Sequence, residues 1–259
     1  MTERPATADS GRRVQAVQIS CDILQALREK DGAGVSELAD HLGRSKATVH
    51  SHLATLADNE FVVKRDGVYE VSLRFVDIGE YAKNQVDIYE VTKEELDRLA
   101  EETGEVAQFM VEEHGRGVYL HKARGENAIQ TASYVGNRKY LHCTALGKAI
   151  LSQLSEARIE QIIDRHGLPQ RTENTVSTRE ALFDALDTVR SQGVAYDDEE
   201  VLQGLRCVAA PINHPTGDLH GAISISGPTS RFKGDRFHEE LPEIVQGAAN
   251  IIEVNATQL

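Results

Sequence analysis

The stretch from Arg44 to Ala57, RSKATVHSHLATLA, contains no carboxylate. It places Arg44, Lys46, His50 and His52 beside the hydroxyls of Ser45, Thr48 and Ser51. Cationic and imidazole groups suit phosphate oxygens, and short hydroxyls reach both phosphates and base edges. That chemistry is nucleic-acid recognition. A second set lies far downstream: Asp197 to Glu200 (DDEE), Cys207, and Ser224 with Ser226. Two serines two apart on a strand point to one face. Flanked by Ala222, Ile223 and Ile225, they set hydroxyls among apolar neighbours, as a small-molecule pocket requires. A solvated helix and solvent-facing serines beside a core cysteine are the plain alternatives.

The elements that position the first set are legible. Residues 2–11 read as a flexible arm carrying Arg4, with Arg12 and Arg13 beyond it. Val14 to Arg28 has Val17, Ile19, Cys21, Ile23, Leu24 and Leu27 at helical spacing, stopped by Asp31-Gly32-Ala33-Gly34. Val35 to Leu42 is a short helix ended by Gly43, and a third helix starts at Ser45 as N-cap and buries Val49, Leu53 and Leu56. Phe61 to Arg65, Asp66-Gly67, and Val68 to Val71 form a β-hairpin. Helix-turn-helix plus hairpin is a winged helix, which sets its second helix in the major groove and its wing on the backbone. The expected DNA contacts are Arg44, Ser45, Lys46, Thr48, Val49, His50 and His52, with Lys64 and Arg65 of the wing.

Leu73 to Tyr89 reads as a linker helix, and Thr92-Lys93-Glu94-Glu95 as a capping box opening a helix over 94–102 that Gly104 ends. A hairpin spans 106–124 around His114-Gly115, a strand 129–134 precedes a Gly136-Asn137 turn, and helices cover 145–154 and 155–166. The capping box Ser177-Thr178-Arg179-Glu180 opens a helix to Gln192, with Gly193 past its end. Strands 207–212 and 219–226 follow, joined by a turn over 214–218, and an amphipathic helix spans 235–254. The class is α+β. The expected domains are an arm (1–12), a winged helix-turn-helix (13–74), a linker helix (75–91) and an α+β body (92–256).

The net charge of −13 hides an asymmetry. Residues 1–75 carry 10 basic and 11 acidic side chains, the remainder 18 and 30, so a near-neutral head joins an acidic body. DNA binding by the head alone is compatible with that balance. Only 9 of the 28 basic residues are lysine, and such an acidic, lysine-poor chain suits a high-salt cytoplasm. No apolar run reaches the roughly 20 residues of a membrane span. Three separated cysteines supply neither a disulfide framework nor a CxxC knuckle. The expectation is a cytoplasmic protein with no membrane partner. Cys143, Cys207, His142 and His214 are not paired at metal-ligand spacing, and no residues order a Cys207 nucleophile, so neither metal, cofactor nor catalysis is expected.

The run VSELADHLGRSKATVHSHLATLADNEFVVKRDGVYEVS resembles the N-terminal domain of the IclR family of bacterial and archaeal transcriptional regulators. LHCTALGKAILSQLS, GVAYDDEEVLQGLRCVAAPI and GAISISGPTSR resemble that family's effector-binding domain, and the match spans about 13–254. The resemblance implies a GAF/PAS-like body and a ligand cavity with Asp197, Cys207, Ser224 and Ser226 as polar contacts. Ala145, Leu146 and Leu205 would be wall residues. Bulky Leu146, where some relatives have smaller residues, implies a different or smaller ligand. Many members carry arginine where this chain has Ser51, so an arginine-guanine contact does not transfer there. The implied partners are double-stranded operator DNA, pseudo-palindromic, a small-molecule effector, and a second copy in a homodimer, with tetramers as dimers of dimers. The competing readings are a metabolite-binding or Cys-dependent redox enzyme with a winged appendage, and an architectural DNA-binding protein.

Overall fold

The computed structural model describes residues 13–214, 217 and 219–257. The expected arm, with Arg4 and Arg12, and the turn residues Pro215, Thr216 and Asp218 lie outside the described residues. The chain divides into two compact units, Met1–Gln85 and Val86–Leu259.

The first unit contains α1 (Gln15–Glu29), α2 (Val35–Leu42), α3 (Lys46–Asp58), β1 (Val62–Arg65), β2 (Val68–Val71) and α4 (Arg74–Lys83). Its core gathers Ile19, Ile23 and Leu27 of α1 with Leu38, Val49, Leu53 and Leu56. Gly43 ends α2 in the left-handed region at φ 62°, a conformation that costs glycine no side-chain clash. Asp66 and Gly67 both have positive φ, as the two-residue turn between twisted strands demands. Val17 and Cys21, two of the residues at helical spacing, are exposed. They lie with Val14 at spacings of three and four, on a second stripe of α1 that the domain core does not cover.

The expected linker helix is interrupted. α4 ends at Lys83 and α5 (Tyr89–Thr103) begins after a turn closed by the Tyr89 amide on the Val86 carbonyl at 2.8 Å. Ile88 and Tyr89 are buried in the second unit's core, so burial starts α5 there rather than at Thr92. Thr92 therefore sits inside the helix with its hydroxyl buried and unbonded, and Glu95 pairs with Arg98 instead of reaching back to cap. No residue of α4 is buried within its unit.

The second unit is built on a six-stranded antiparallel sheet in the order β5-β4-β3-β8-β7-β6. The strands are β3 (Val106–Glu113), β4 (Arg116–Arg124), β5 (Arg138–Lys139), β6 (Ala195–Asp198), β7 (Leu205–Asn213) and β8 (Leu219–Pro228). Alternation divides the strand residues between two cores. Ala107, Phe109, Val208, Ala210, Ile223 and Ile225 pack with α5 and with α9 (Leu241–Ala256), which continues from a π-turn over Arg236–Glu240. Met110, Ala195, Ala209 and Ala222 pack with α6 (Ala145–Gln153), α7 (Glu156–His166) and α8 (Arg179–Gln192). Gly147 lets α6 lie against the Leu141 backbone, since a Cβ there would fall 2.1 Å from the Leu141 carbonyl oxygen.

Two further expectations need correction. Residues 129–134 form no strand; the segment is tied by the Lys122 ammonium to the carbonyls and hydroxyls of Thr131 and Ser133 at 2.7–3.3 Å. Residues 195–198 form edge strand β6, and the cap of α8 is Thr178 rather than Ser177.

Candidate functional site

The first candidate surface is the outer face of α3. Ser45 caps the helix, accepting the Thr48 amide at 3.0 Å, and its hydroxyl pairs with that of Thr48 at 2.8 Å. Arg44, Lys46, His50 and Ser51 are exposed around this end, with no acidic side chain in the first turn. On the wing, exposed Lys64 lies 5.2 Å from the Tyr69 ring centroid and Arg65 pairs with Glu70 at 2.7 Å. Val49 and His52 do not join this face. Val49 is fully buried, and the half-buried His52 ring bonds the Ser20 hydroxyl of α1 at 2.9 Å. They lie three apart, on the same inward stripe as Leu53 and Leu56, so helical geometry turns them toward the domain core and α1. Ala47 and Ser51 take their place outside, as the spacing of Lys46 and His50 already encodes.

The second candidate site is a half-open cavity of about 90 Å³ in the second unit, between the sheet and the start of α6. Ala145, Leu146, Asp197, Leu205, Cys207, Ser224 and Ser226 all line it. Strand register makes the grouping. Asp197, Cys207 and Ser226 are direct partners across β6, β7 and β8, and Ala209, Ser224 and Gln108 form the next row across β7, β8 and β3. Paired residues share a face, so both rows of polar groups reach the same space. The Ser224 hydroxyl is buried with no hydrogen-bond partner. Ser226 donates weakly to the Gln108 carbonyl at 3.4 Å, and the Gln108 amide donates to Ser133 at 2.8 Å. Gln108, Thr131, Ser133 and Lys139 were missed from the sequence. A glutamine amid the apolar strand VAQFMV was the readable signal; the other three sit on a segment misread as a strand and on a two-residue strand.

The charges under the cavity are buried. Asp197 accepts the Glu200 amide at 2.7 Å, and Glu200 is ion-paired with Lys148 of α6. Burial pushes the Asp197 carboxyl up to about 7 against the pull of that amide bond. Burial also raises Glu200, which Lys148 opposes. The Cys207 thiol lies well above its ordinary range, through burial and then the Asp197 charge, and burial raises Cys143 to about 11. A thiol held protonated is a poor nucleophile. Among the described residues, no three His, Cys, Asp or Glu side chains are grouped to hold a metal ion. No helix there is long and apolar enough to cross a membrane.

Residues 80–254 match the model of the bacterial transcriptional regulator IclR C-terminal domain, and residues 16–66 that of the IclR helix-turn-helix domain. The chain belongs to the IclR family. Its curated IclR-type relatives include a probable HTH-type transcriptional regulator, ArcR, of Halobacterium salinarum, 36% identical over 96% of this chain and 97% of the relative. HTH-type transcriptional regulator KdgR of Dickeya chrysanthemi is 31% identical, over 97% of this chain and 84% of its own length. Among solved structures, the Thermotoga maritima IclR superposes with a TM-score of 0.74 at 26% identity, covering 93% of this chain and 97% of that one. An IclR homolog from Microbacterium hydrocarbonoxydans, solved with 4-hydroxybenzoate, shares the fold with a TM-score of 0.81 at 18% identity, covering 94% and 100%. This IclR-family member is a DNA-binding transcriptional regulator with an N-terminal helix-turn-helix and a C-terminal IclR effector domain.

Proposed function

We propose that a small polar metabolite occupies the cavity and changes the affinity of the winged head for operator DNA. The observation that carries this reading is the unbonded Ser224 hydroxyl, buried at the wall of a cavity beside the Asp197–Cys207–Ser226 row. A buried hydroxyl without a partner costs free energy that a ligand atom recovers. The volume of about 90 Å³ fits a compact ligand, and a distant family member holds the small aromatic acid 4-hydroxybenzoate. On this reading Ala145, Leu146 and Leu205 shape the apolar wall, and Asp197, Cys207, Ser224 and Ser226 fix orientation. Arg44, Ser45, Lys46, Thr48 and His50 meet the major groove, and Lys64 and Arg65 the backbone.

Coupling is linkage: a metabolite that favours one arrangement of heads shifts operator affinity, and DNA shifts metabolite affinity by the same factor. One head reads a half-site, so a homodimer on a pseudo-palindrome is expected. The exposed stripes Val14 and Val17 on α1 and Leu73, Val76 and Tyr81 at α4, between 59% and 84% exposed, support self-association through the first unit. The same reading has the protein working in the cytoplasm with its operator and assigns it no catalysis. Fluorescence anisotropy against the DNA upstream of its own gene, with a scrambled duplex as reference, tests it. Sequence preference that a metabolite abolishes or creates supports the reading. Binding that no metabolite in a panel of small organic acids and sugars alters, and that leaves the melting temperature unmoved, overturns it.

A further inference from the structure

Arginine in the second unit is mostly answered by a carboxylate. Arg98, Arg158, Arg179, Arg190, Arg206, Arg231 and Arg236 each lie within 4.0 Å of one. Among the described residues Arg116, Arg124, Arg138, Arg165 and Arg171 do not, and all of these but Arg124 gather at the turn end of the β3–β4 hairpin. The Arg116 guanidinium stacks 3.6 Å from the centroid of Tyr140, and that of Arg171 lies 5.1 Å from the same ring. Arg138 donates to the Glu113 carbonyl at 3.2 Å, beside Arg116, which Glu113 faces in the ladder. Arg165 adjoins His166, whose ring N–H donates to the carbonyl of the hairpin-turn residue His114 at 2.8 Å.

The mutual proximity has an electrostatic signature. His166, held low first by burial, is lowered further by the charges of Arg116, Arg165 and Arg138. His142, also held low by burial, feels Arg171 and Arg116 in the same sense. Like charges in mutual range raise the free energy of the unliganded surface, and an anion relieves it. This happens in a chain of net charge −13, where carboxylates are plentiful and none pairs with these four. The guanidinium fork matches oxyanions in two-point contacts, and one fork satisfies one carboxylate. Several forks without an acid suit an oxyanion of higher charge. None of the four arginines lines the cavity.

We propose that Arg116, Arg138, Arg165 and Arg171, gathered at the turn end of the β3–β4 hairpin, bind phosphate groups at a site separate from the cavity. The phosphate is carried either by a free small molecule or by the DNA backbone, and two arms of one experiment separate these sources. Full-length protein is titrated into pyrophosphate with the ³¹P line width as readout, and into a scrambled duplex with anisotropy read at several salt concentrations. Arg138→Gln/Arg165→Gln removes two exposed charges and leaves the Tyr140 stack intact; Arg116→Gln/Arg171→Gln is the companion variant.

For a free phosphate, pyrophosphate broadens with the wild type, each double variant weakens that binding at least tenfold, and the salt slope for DNA stays put. For the backbone, the variants flatten the slope of log affinity against log salt by about 0.9 for each phosphate they no longer neutralise. Line widths and slopes identical in wild type and in the Arg138→Gln/Arg165→Gln variant overturn the proposal. Circular dichroism melts check the companion variant, and the surface variant decides the matter if the companion does not fold.

Discussion

Lys148 of α6 and Glu200, fifty-two residues further along, form an ion pair whose side chains are only 7% and 8% exposed. The second Glu200 oxygen has no partner. Two charges removed from water recover that cost only through each other, so deleting one partner hurts more than deleting both. Lys148→Met should cost about 3–5 kcal/mol. Lys148→Met/Glu200→Leu should cost clearly less than either single change predicts by addition. Urea unfolding of the three variants decides it, and a double variant as damaged as the sum of the singles would show that the pair is not coupled.

Asp197 has a carboxyl raised to about 7 by burial, above its ordinary value of 3.8. Between those values the folded chain binds more protons than the unfolded one, so this group's contribution to stability is full at low pH and is lost as pH rises toward 7. Asp197→Asn removes that titration. Its stability relative to wild type should therefore improve as pH rises from 5 to 7, with a slope of at most about 1.4 kcal/mol per pH unit. Parallel pH profiles for the two proteins would contradict the assignment.

Ser224→Ala deletes a hydroxyl that bonds to no protein atom. Unliganded stability should change by less than about 1 kcal/mol, because no hydrogen bond is broken. Response to the effector found by anisotropy screening should fall at least tenfold while operator affinity without effector is kept. An unaltered response places the ligand elsewhere.

On α3, exposure separates residues that hold the head together from those that face outward. Lys46→Ala should weaken binding to specific and scrambled DNA alike and reduce the salt slope by about 1. Leu53→Ala, at a fully buried site, should cost about 2–5 kcal/mol and abolish binding by unfolding the head. Ser45→Ala lies between, losing roughly 0.5–2 kcal/mol with the cap. Paired melting and binding curves distinguish the three, and binding lost without destabilisation in Leu53→Ala would refute the assignment of roles.

The head was legible because its signals are local: Gly43, the Ser45 cap and the Asp66-Gly67 turn each act within a few residues. The body was legible where caps and hairpins act, as at His114-Gly115 and Gly193. It failed where burial overrides local pattern. Thr92 begins a capping box by type but lies inside α5, because Ile88 and Tyr89 anchor the helix earlier. The 129–134 segment alternates like a strand, yet one lysine supplies the bonds that a ladder would. For the cavity, Ser224 and Ser226 announce themselves by spacing. Their conjunction with Asp197 depends on the register of three strands, and a single sequence does not display register across a gap of that length. His52 departs from the expected contacts for a different reason: imidazole suits DNA by type, but helical phase turns the ring toward α1, and Val49 follows the buried phase that Leu53 and Leu56 already set.

Gln108 and Phe109 are adjacent on β3, yet one lines the cavity and the other is buried under α5 and α9. The strand is thus a partition with a tenant on either side. A pleated chain cannot move one of two successive residues without moving the other, and a close-packed core has no slack to absorb the displacement. On the proposed reading, a ligand that shifts the backbone at Gln108 would bear on the helical layer behind the sheet through Phe109.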